Sequence, residues 1–467
     1  MNVISCATWV KRGVAAAVPE KVELKADELE KIIRETQSVL EDQDSDEEAT
    51  TSQTDAKKTE KFPEAGVDEY NFQGYDDECG NMYCAISSLA SFDGTNGKDP
   101  FITNDDEDSE EEDDIIKPDD NLVLVGHVEN DASILEVFVH NEREGSFYCH
   151  HDILLPSFPL CIEWLNYDSA DIKPGNLCAI GNMTPIIEIW DLDLIDCLEP
   201  AYKLGCKPNK KKRQKRVGHR DAVLDIAWNQ NYTHVLASGS VDETVLLWDL
   251  ETCKPVTKLD LFNEKVQALK WHPEETHRLL TGCADKLIRI FDCKEEILVR
   301  NWKASGEVER VLWDSNDPNY CIVSTNNGYI EYYDVRGDKL VWQIKAHEKE
   351  VTGLCTSCRG LLVSCSNDGV MKIWDLLKHT TPTLLWEQSN SLGAIQCLAV
   401  NPNNQFIFVA GGDNKAHNLQ VIDLREIPIV RQNFMAGNSE FKQKLVDVTN
   451  DIEDMEIESL PSPSASS

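Results

Sequence analysis

The sequence predicts an all-β ring, a seven-bladed β-propeller whose first blade is interrupted by a long acidic insertion. Three observations carry this. Short alternating apolar segments recur at intervals of 42–44 residues along the second half of the chain. A ladder of aromatic–Asp pairs runs beside them. An isolated segment, VISCATWVKRG at Val3–Gly13, has the same pattern a hundred residues before the regular repeats begin. A period of 40–45 residues is the length of one four-stranded blade.

The first ladder reads CIEW ending at Trp164, DIAW at Trp228, ALKW at Trp271 and RVLW at Trp313, then GLCT at Thr356 and CLAV at Val400. From Trp228 onward the spacings are 43, 42, 43 and 44; from Trp164 to Trp228 it is 64, because a lysine-rich segment lies inside. The second ladder reads Trp190-Asp191, Trp248-Asp249, Phe291-Asp292, Tyr333-Asp334, Trp374-Asp375 and Ile422-Asp423. Asp242, Asp285, Asn327 and Asp368 each stand six residues before their aromatic, as a short hairpin turn requires. Asp413 stands nine before Ile422, so the last blade is expected to have a longer hairpin. This combination resembles the WD-repeat propeller.

Trp9 then takes the position of Trp164 and Trp228, as the end of an inner strand. The rest of that blade is assigned to Asn121–Val128, Ile134–Asn141 and Gly145–His151. Inner strands ending at 9, 164, 228, 271, 313, 356 and 400 give seven blades, a closed ring without sheet edges. The chain divides into residues 1–13 (inner strand of the first blade), 14–118 (insertion), 119–435 (the remaining propeller, with a basic loop at 207–216) and 436–467 (an acidic, serine-rich tail expected to be disordered).

The formal net charge of −38 argues against non-specific nucleic-acid binding by the chain as a whole. Most of it is localised: residues 41–120 hold 27 acidic against 5 basic residues, and residues 436–467 hold 7 against 2. No N-terminal apolar segment reads as a signal peptide, and no run of about 18 apolar residues reads as a membrane span. The 16 cysteines are scattered singly through apolar strands. Without a secretory signal they read as small buried hydrophobes in a reducing compartment, cytosol or nucleus.

Two sets of residues imitate a catalytic triad: His219, Ser238 and Asp242 beside Trp248, and His347, Ser364 and Asp368 beside Trp374. Each His precedes an inner strand and each Asp sits in a turn. In the WD-repeat pattern these form a structural hydrogen-bond network, and such buried networks specify packing. No catalytic residue is assigned, and the blades lacking the His are expected to have looser edges. Cys355 and Cys358 form a CxxC, but a zinc site needs four ligands and no second pair lies nearby. No metal or cofactor is expected, and no phosphate loop or hydrolase motif is present.

The insertion carries an amphipathic segment, Ala26–Leu40, with Leu29, Ile32, Ile33, Thr36, Val39 and Leu40 on one helical face. Its blocks of like charge, Glu41–Glu48 and Asp105–Asp114, are expected to remain extended. Ser45 and Ser109 precede acids and are candidates for phosphorylation by acidophilic kinases. Aromatics among acids at Tyr70–Glu78 suit docking to a basic, partly apolar surface. The opposite sign is concentrated in KPNKKKRQKR, where Lys207, Lys210, Lys211, Lys212, Arg213, Lys215 and Arg216 make seven basic residues in ten. This loop reads as a nuclear-import signal or a contact to RNA or DNA phosphates.

The layout of specific strings narrows the reading further. CATWVKRGVA, KVELKADELEKII, the acidic insertion, IIKPDDNLVLVG, HHDILLPSFPLCIEWLNYD, GNMTPIIEIWDLD, LEPAYKLG, the lysine block and GHRDAVLDIAWNQ follow in that order. Together they resemble the periodic tryptophan protein 1 family through about Asp423. The resemblance implies a nuclear and nucleolar WD-repeat scaffold that promotes ribosome biogenesis through ribosomal RNA transcription or processing. It also implies association with chromatin and phosphorylation of the acidic region. The expected partners are proteins with basic surfaces, histones or ribosomal and pre-ribosomal proteins, bound to a monomeric, non-enzymatic chain with no membrane contact. Two rivals are a histone-binding chromatin adaptor and a substrate receptor of a ubiquitin ligase. Nucleolar enrichment that depends on ribosomal RNA synthesis separates the first, and co-purification with a cullin complex would favour the second.

Overall fold

The computed structural model describes residues 2–22, 115–130, 132–168, 175–208, 213, 215–337, 339–357, 360–376 and 381–435. The amphipathic segment at 26–40, the acidic blocks, Ser45, Ser109, Lys210, Lys211, Lys212, Cys358 and the tail from 436 lie outside them.

Seven antiparallel sheets form the ring. The inner strands are Asn2–Val10, Pro159–Leu165, Val223–Trp228, Val266–Trp271, Val308–Trp313, Gly353–Thr356 and Ile395–Val400, and each touches the next around a closed circle. Blade one contains Asn2–Val10, Asn121–Glu129, Ala132–Asn141 and Ser146–Leu155, in that order from the axis. Trp9 therefore belongs to the ring, paired across from Val123. Blades one to six have four strands. Among the described residues blade seven has three, Ile395–Val400, Ile407–Gly412 and Leu419–Asp423. Its hairpin, residues 413–418, is longer than the turns of blades three to six, as the displaced Asp413 implied.

The outer strands alternate between buried and exposed residues, as in KPVTKL, while the second and third strands are apolar or small nearly throughout and buried on both faces, as in LCAIGN and VLLWD. Their apolar faces meet between blades rather than in one central core. Between blades two and three, for example, Leu165, Ile187 and Ile189 pack on Val223, Ile226 and Trp248. The cysteines serve this packing. Cys6, Cys161 and Cys397 lie directly opposite Gly126, Gly181 and Gly411 on the neighbouring strand. A Cβ at Gly181 would fall 2.5 Å from the Cys161 sulfur, so the glycine makes room for the thiol. Burial pushes the Cys6 thiol up to about 12, the protonated, inert state.

Among the described residues no strand is shared between the first and last blades, and side chains close the seam. Trp9 Nε1 donates to the Ala399 carbonyl of blade seven at 3.2 Å. On one face Asn121 Nδ2 donates to Asn403 Oδ1 (2.8 Å) and Asn401 Nδ2 to Asn121 Oδ1 (3.1 Å). There Glu142 accepts from Arg12 (3.1 Å), Arg425 (2.6 Å) and Asn404 (2.9 Å). On the other face Asn2 Oδ1 accepts from Asn418 at 2.6 Å and lies 2.7 Å from His127 Nε2.

Antiparallel alternation places the turns on two faces. Connections from inner to second strand and from third to outer strand share one face; the remaining connections share the other. Past Gly13 the chain stays on the first face, where Glu20–Lys21 pairs in parallel with Leu194–Ile195 of blade two. Ile116 N donates to Ala17 O at 2.8 Å on the return. Val22 and Ile115, the ends between which the acidic segment is strung, therefore lie on this face.

Candidate interaction surface

The two triad-like sets come together as hydrogen-bonded chains. In blade three Trp248 Nε1 donates to Ser238 Oγ at 2.7 Å, and Ser238 Oγ lies 2.7 Å from His219 Nε2. His219 Nδ1 lies 3.2 Å from both Asp242 oxygens. Asp242, an ionised carboxylate, can only accept, so His219 Nδ1–H donates to it; with the imidazole neutral, Nε2 then accepts from the Ser238 hydroxyl, whose oxygen accepts from the indole. In blade six Trp374 reaches Ser364 at 3.0 Å, His347 lies 2.8 Å from Ser364, and Asp368 lies 3.2 Å from His347. Each Asp also caps the loop that carries the His: Asp242 accepts from Arg220 N at 2.7 Å, and Asp368 from Glu348 N at 3.1 Å. Burial would raise the Asp242 carboxyl, but hydrogen bonds from His219 and Thr244 hold it below the usual carboxylate range. Ser238 and Ser364 are fully buried, with the indole on one side and the imidazole on the other. A hydroxyl so enclosed holds strands together and presents no nucleophile to solvent.

Two of the blades without the His, four and five, are braced by other polar pairs. In blade four Arg289 forms a bidentate pair with Asp285, at 3.1 and 2.5 Å, with its guanidinium over the Phe262 ring. In blade five Tyr333 Oη donates to Glu331 at 2.6 Å, and Tyr332 Oη to Asp314 at 2.5 Å. The sequence signal for these was a charged residue within an apolar strand, as in LIRIFD and YIEYYD.

The inner-strand tryptophans divide into two groups. Trp9, Trp271 and Trp313 donate their indole N–H to the preceding blade's inner strand, at Ala399, Ala227 and Lys270. Trp164 and Trp228 donate within their own blades, to Asn176 and the Thr233 carbonyl.

The axial channel, about 680 Å³, is lined by inner-strand residues including Glu163, Asp225, Lys270 and Arg310. Arg310 Nε donates to the Thr352 carbonyl at 3.0 Å, and its Nη1 lies 3.9 Å from Asp225 Oδ1 across two blades. Asp225 in turn accepts from Leu269 N at 2.6 Å. Burial raises both the Asp225 and Glu163 carboxyls. These groups brace the channel wall. Cys355 donates to the Leu398 carbonyl at 3.3 Å as part of a strand, and its partner in the CxxC lies outside the described residues.

The basic loop has the most distinctive position. Cys206 and Val217 exchange backbone hydrogen bonds at 2.9 and 3.2 Å, closing residues 207–216 into a loop with a pinched base. That base rests on the blade-three network. Gly218, at φ +91°, packs so closely on Trp248 that a Cβ there would lie 2.6 Å from the indole. Of the cationic residues the structure describes, Lys207, Arg213, Lys215 and Arg216 are exposed. The loop joins an outer strand to the next inner strand, so it emerges on the face opposite Val22 and Ile115. The exposed Met183 and Val217 lie on the loop's own face.

The WD domain, G-beta repeat family profile matches residues 210–249, 253–292 and 338–375, each segment ending at an aromatic–Asp pair. The chain is 40% identical over 453 residues to the periodic tryptophan protein 1 homolog of Drosophila melanogaster, covering 92% of this chain and 96% of that protein. It is 29% identical over 519 residues to periodic tryptophan protein 1 of Saccharomyces cerevisiae, covering 92% and 89%. The chain belongs to the periodic tryptophan protein 1 family. A chain in the crystal structure of the mitotic checkpoint complex shares the fold, with a TM-score of 0.50 at 19% identity, over 65% of this chain and 84% of that one.

Proposed function

We propose that the chain is a non-enzymatic nuclear and nucleolar scaffold that promotes ribosome biogenesis, through ribosomal RNA transcription or processing, in association with chromatin. Membership of the periodic tryptophan protein 1 family supports the general role. The observation that carries the mechanism is the cationic loop, pinned over blade three on one face, while Val22 and Ile115, the described residues that flank the acidic segment, lie on the opposite face. Nucleic-acid phosphates are drawn to the first, and basic surfaces of histones or ribosomal proteins to the second. Capture at either should weaken as salt rises, since screening acts over about 8 Å at physiological ionic strength.

The test replaces the seven basic residues of the loop by Gln and follows RNA binding against salt, together with location in the cell. If four to seven of them contact phosphates, log affinity against log salt should fall with a slope of about −3 to −5. The substituted chain should lose that slope and its nucleolar enrichment. Equal RNA affinity and equal nucleolar enrichment for both proteins would overturn the reading. The segment with 27 acids favours one rival, the histone-binding adaptor. That rival predicts nuclease-resistant histone capture with no dependence of location on ribosomal RNA synthesis.

A further inference from the structure

Among the described residues blade seven ends one strand short, and the ladder shows which groups this leaves open. Gly412 N donates to Asn418 O and Leu424 N to Phe406 O, so the hydrogen-bonded pairs between the second and third strands fall on Asn418, Gln420, Ile422 and Leu424. The backbone N–H and C=O of Leu419, Val421 and Asp423 therefore point outward, and among the described residues no strand pairs with them. Leu419, Val421 and Ile422 are only partly buried, where the corresponding Val245, Leu247 and Trp248 of blade three are buried beneath an outer strand. An open edge of this kind is a template for one more strand.

We propose that the chain's own C-terminal segment, Lys444–Asn450, adds as the outer strand of blade seven. Direction, reach, register and charge favour it over a foreign strand. The third strand ends at Asp423 on the face where outer strands begin, and the described chain ends at the buried Met435, next to Phe434, which packs in one cluster with Phe408 of blade seven and Leu361 of blade six. The eight residues from Ala436 to Gln443 can span about 27 Å, several times the ~4.8 Å between paired strands.

Two outer strands of this chain supply the register. Lys254 opens the outer strand opposite Asp249 in blade three, and Lys339 does so opposite Asp334 in blade five. The blade-five strand reads KLVWQIK and the tail reads KLVDVTN. Placing Lys444 opposite Asp423, with the bulge that other outer strands show two residues in, sets Asp447 opposite Val421 and Thr449 opposite Leu419. The acidic run that follows, Asp451–Glu458, would then emerge beside Lys415 and His417 of the long hairpin.

The experiment is peptide-level hydrogen exchange across Leu419–Asp423 in the full chain, in the chain ended at Met435, and in full-length Asp447→Pro. The proline removes the N–H that would bond Val421 while leaving the described ring untouched. We expect at least about tenfold slower exchange at this edge in the full chain than in either variant, with blades two to five unchanged. Fast exchange in all three proteins would overturn the proposal. So would slow exchange in all three, which would mean that another segment or a second copy covers the edge. If the truncated chain loses protection throughout, the proline variant alone decides.

Discussion

Blade three and blade seven are built on the same repeat, yet they are held by different means. Blade three is knit by a hydrogen-bond chain through Trp248, Ser238, His219 and Asp242, all within about thirty residues of one another, and an outer strand covers it. At the corresponding places blade seven has Ile422 and Ala410, and only the turn Asp survives, Asp413 accepting from Ala394 N at 2.7 Å. Its polar ties are instead at the seam with blade one, whose partners lie 262 to 416 residues apart in sequence. Local patterning thus fixes the middle of the ring, and long-range polar contacts close it.

The sharpest way to break this contrast is Trp248→Ala. The side chain is 1% exposed, so its removal deletes a large buried surface and leaves Ser238 without its donor. We expect a loss of about 3–5 kcal/mol, read as a fall in the denaturant midpoint with an unchanged slope. Because indole burial sustains the inner ladder as well, Trp228→Ala should fall in the same range. A midpoint within error of the parent protein for Trp248→Ala would show that blade three does not depend on its network.

Glu142 tests the seam. Burial alone would raise its carboxyl, but hydrogen bonds from Asn404, Arg425 and Arg12 hold it at about 2 against an ordinary 4.5. A depressed carboxylate contributes stability that is complete above the unfolded value and lost as pH falls through the folded one. Discounted for screening at a partly exposed site, we expect Glu142→Gln to cost about 1–2 kcal/mol at pH 7. The gap between the two proteins should narrow below about pH 4.5 and close near pH 2. Urea midpoints at pH 7, 4 and 3 check this; a gap independent of pH would mean that Glu142 acts by packing and not by charge.

The same contrast explains what the sequence disclosed. Blade number and both triad-like networks were legible because each depends on spacings inside or between adjacent repeats, and the membership of Trp9 because its strand repeats the pattern that ends at Trp164 and Trp228. Asp413 even announced the long hairpin of blade seven. The Asn121–Asn401–Asn403 seam was not legible, since asparagines in turns look alike wherever they lie and their partners are set only when the ring closes. Nor was the three-strand form that blade seven takes among the described residues, because the periodicity records inner strands and turn residues and is silent on what lies beyond Asp423. The Arg289–Asp285 brace was missed for a related reason: an arginine in a strand reads as solvent-facing until its neighbour in space is known.

The smallest effect is expected at the basic loop, and its smallness is the point. Lys207, Arg213, Lys215 and Arg216 are exposed, and the loop's connection to the ring runs through Cys206, Val217 and Gly218 rather than through the charges. Among the described residues Arg216 makes an exposed hydrogen bond from Nη1 to the Arg220 carbonyl at 3.2 Å, of a kind that contributes little. Substituting these four by Gln should therefore shift stability by less than about 0.5 kcal/mol, while Gly218→Ala should destabilise measurably by driving a methyl into Trp248. If the order were reversed, the charges would be part of the blade, and the loop would lose its standing as a surface free to meet phosphate.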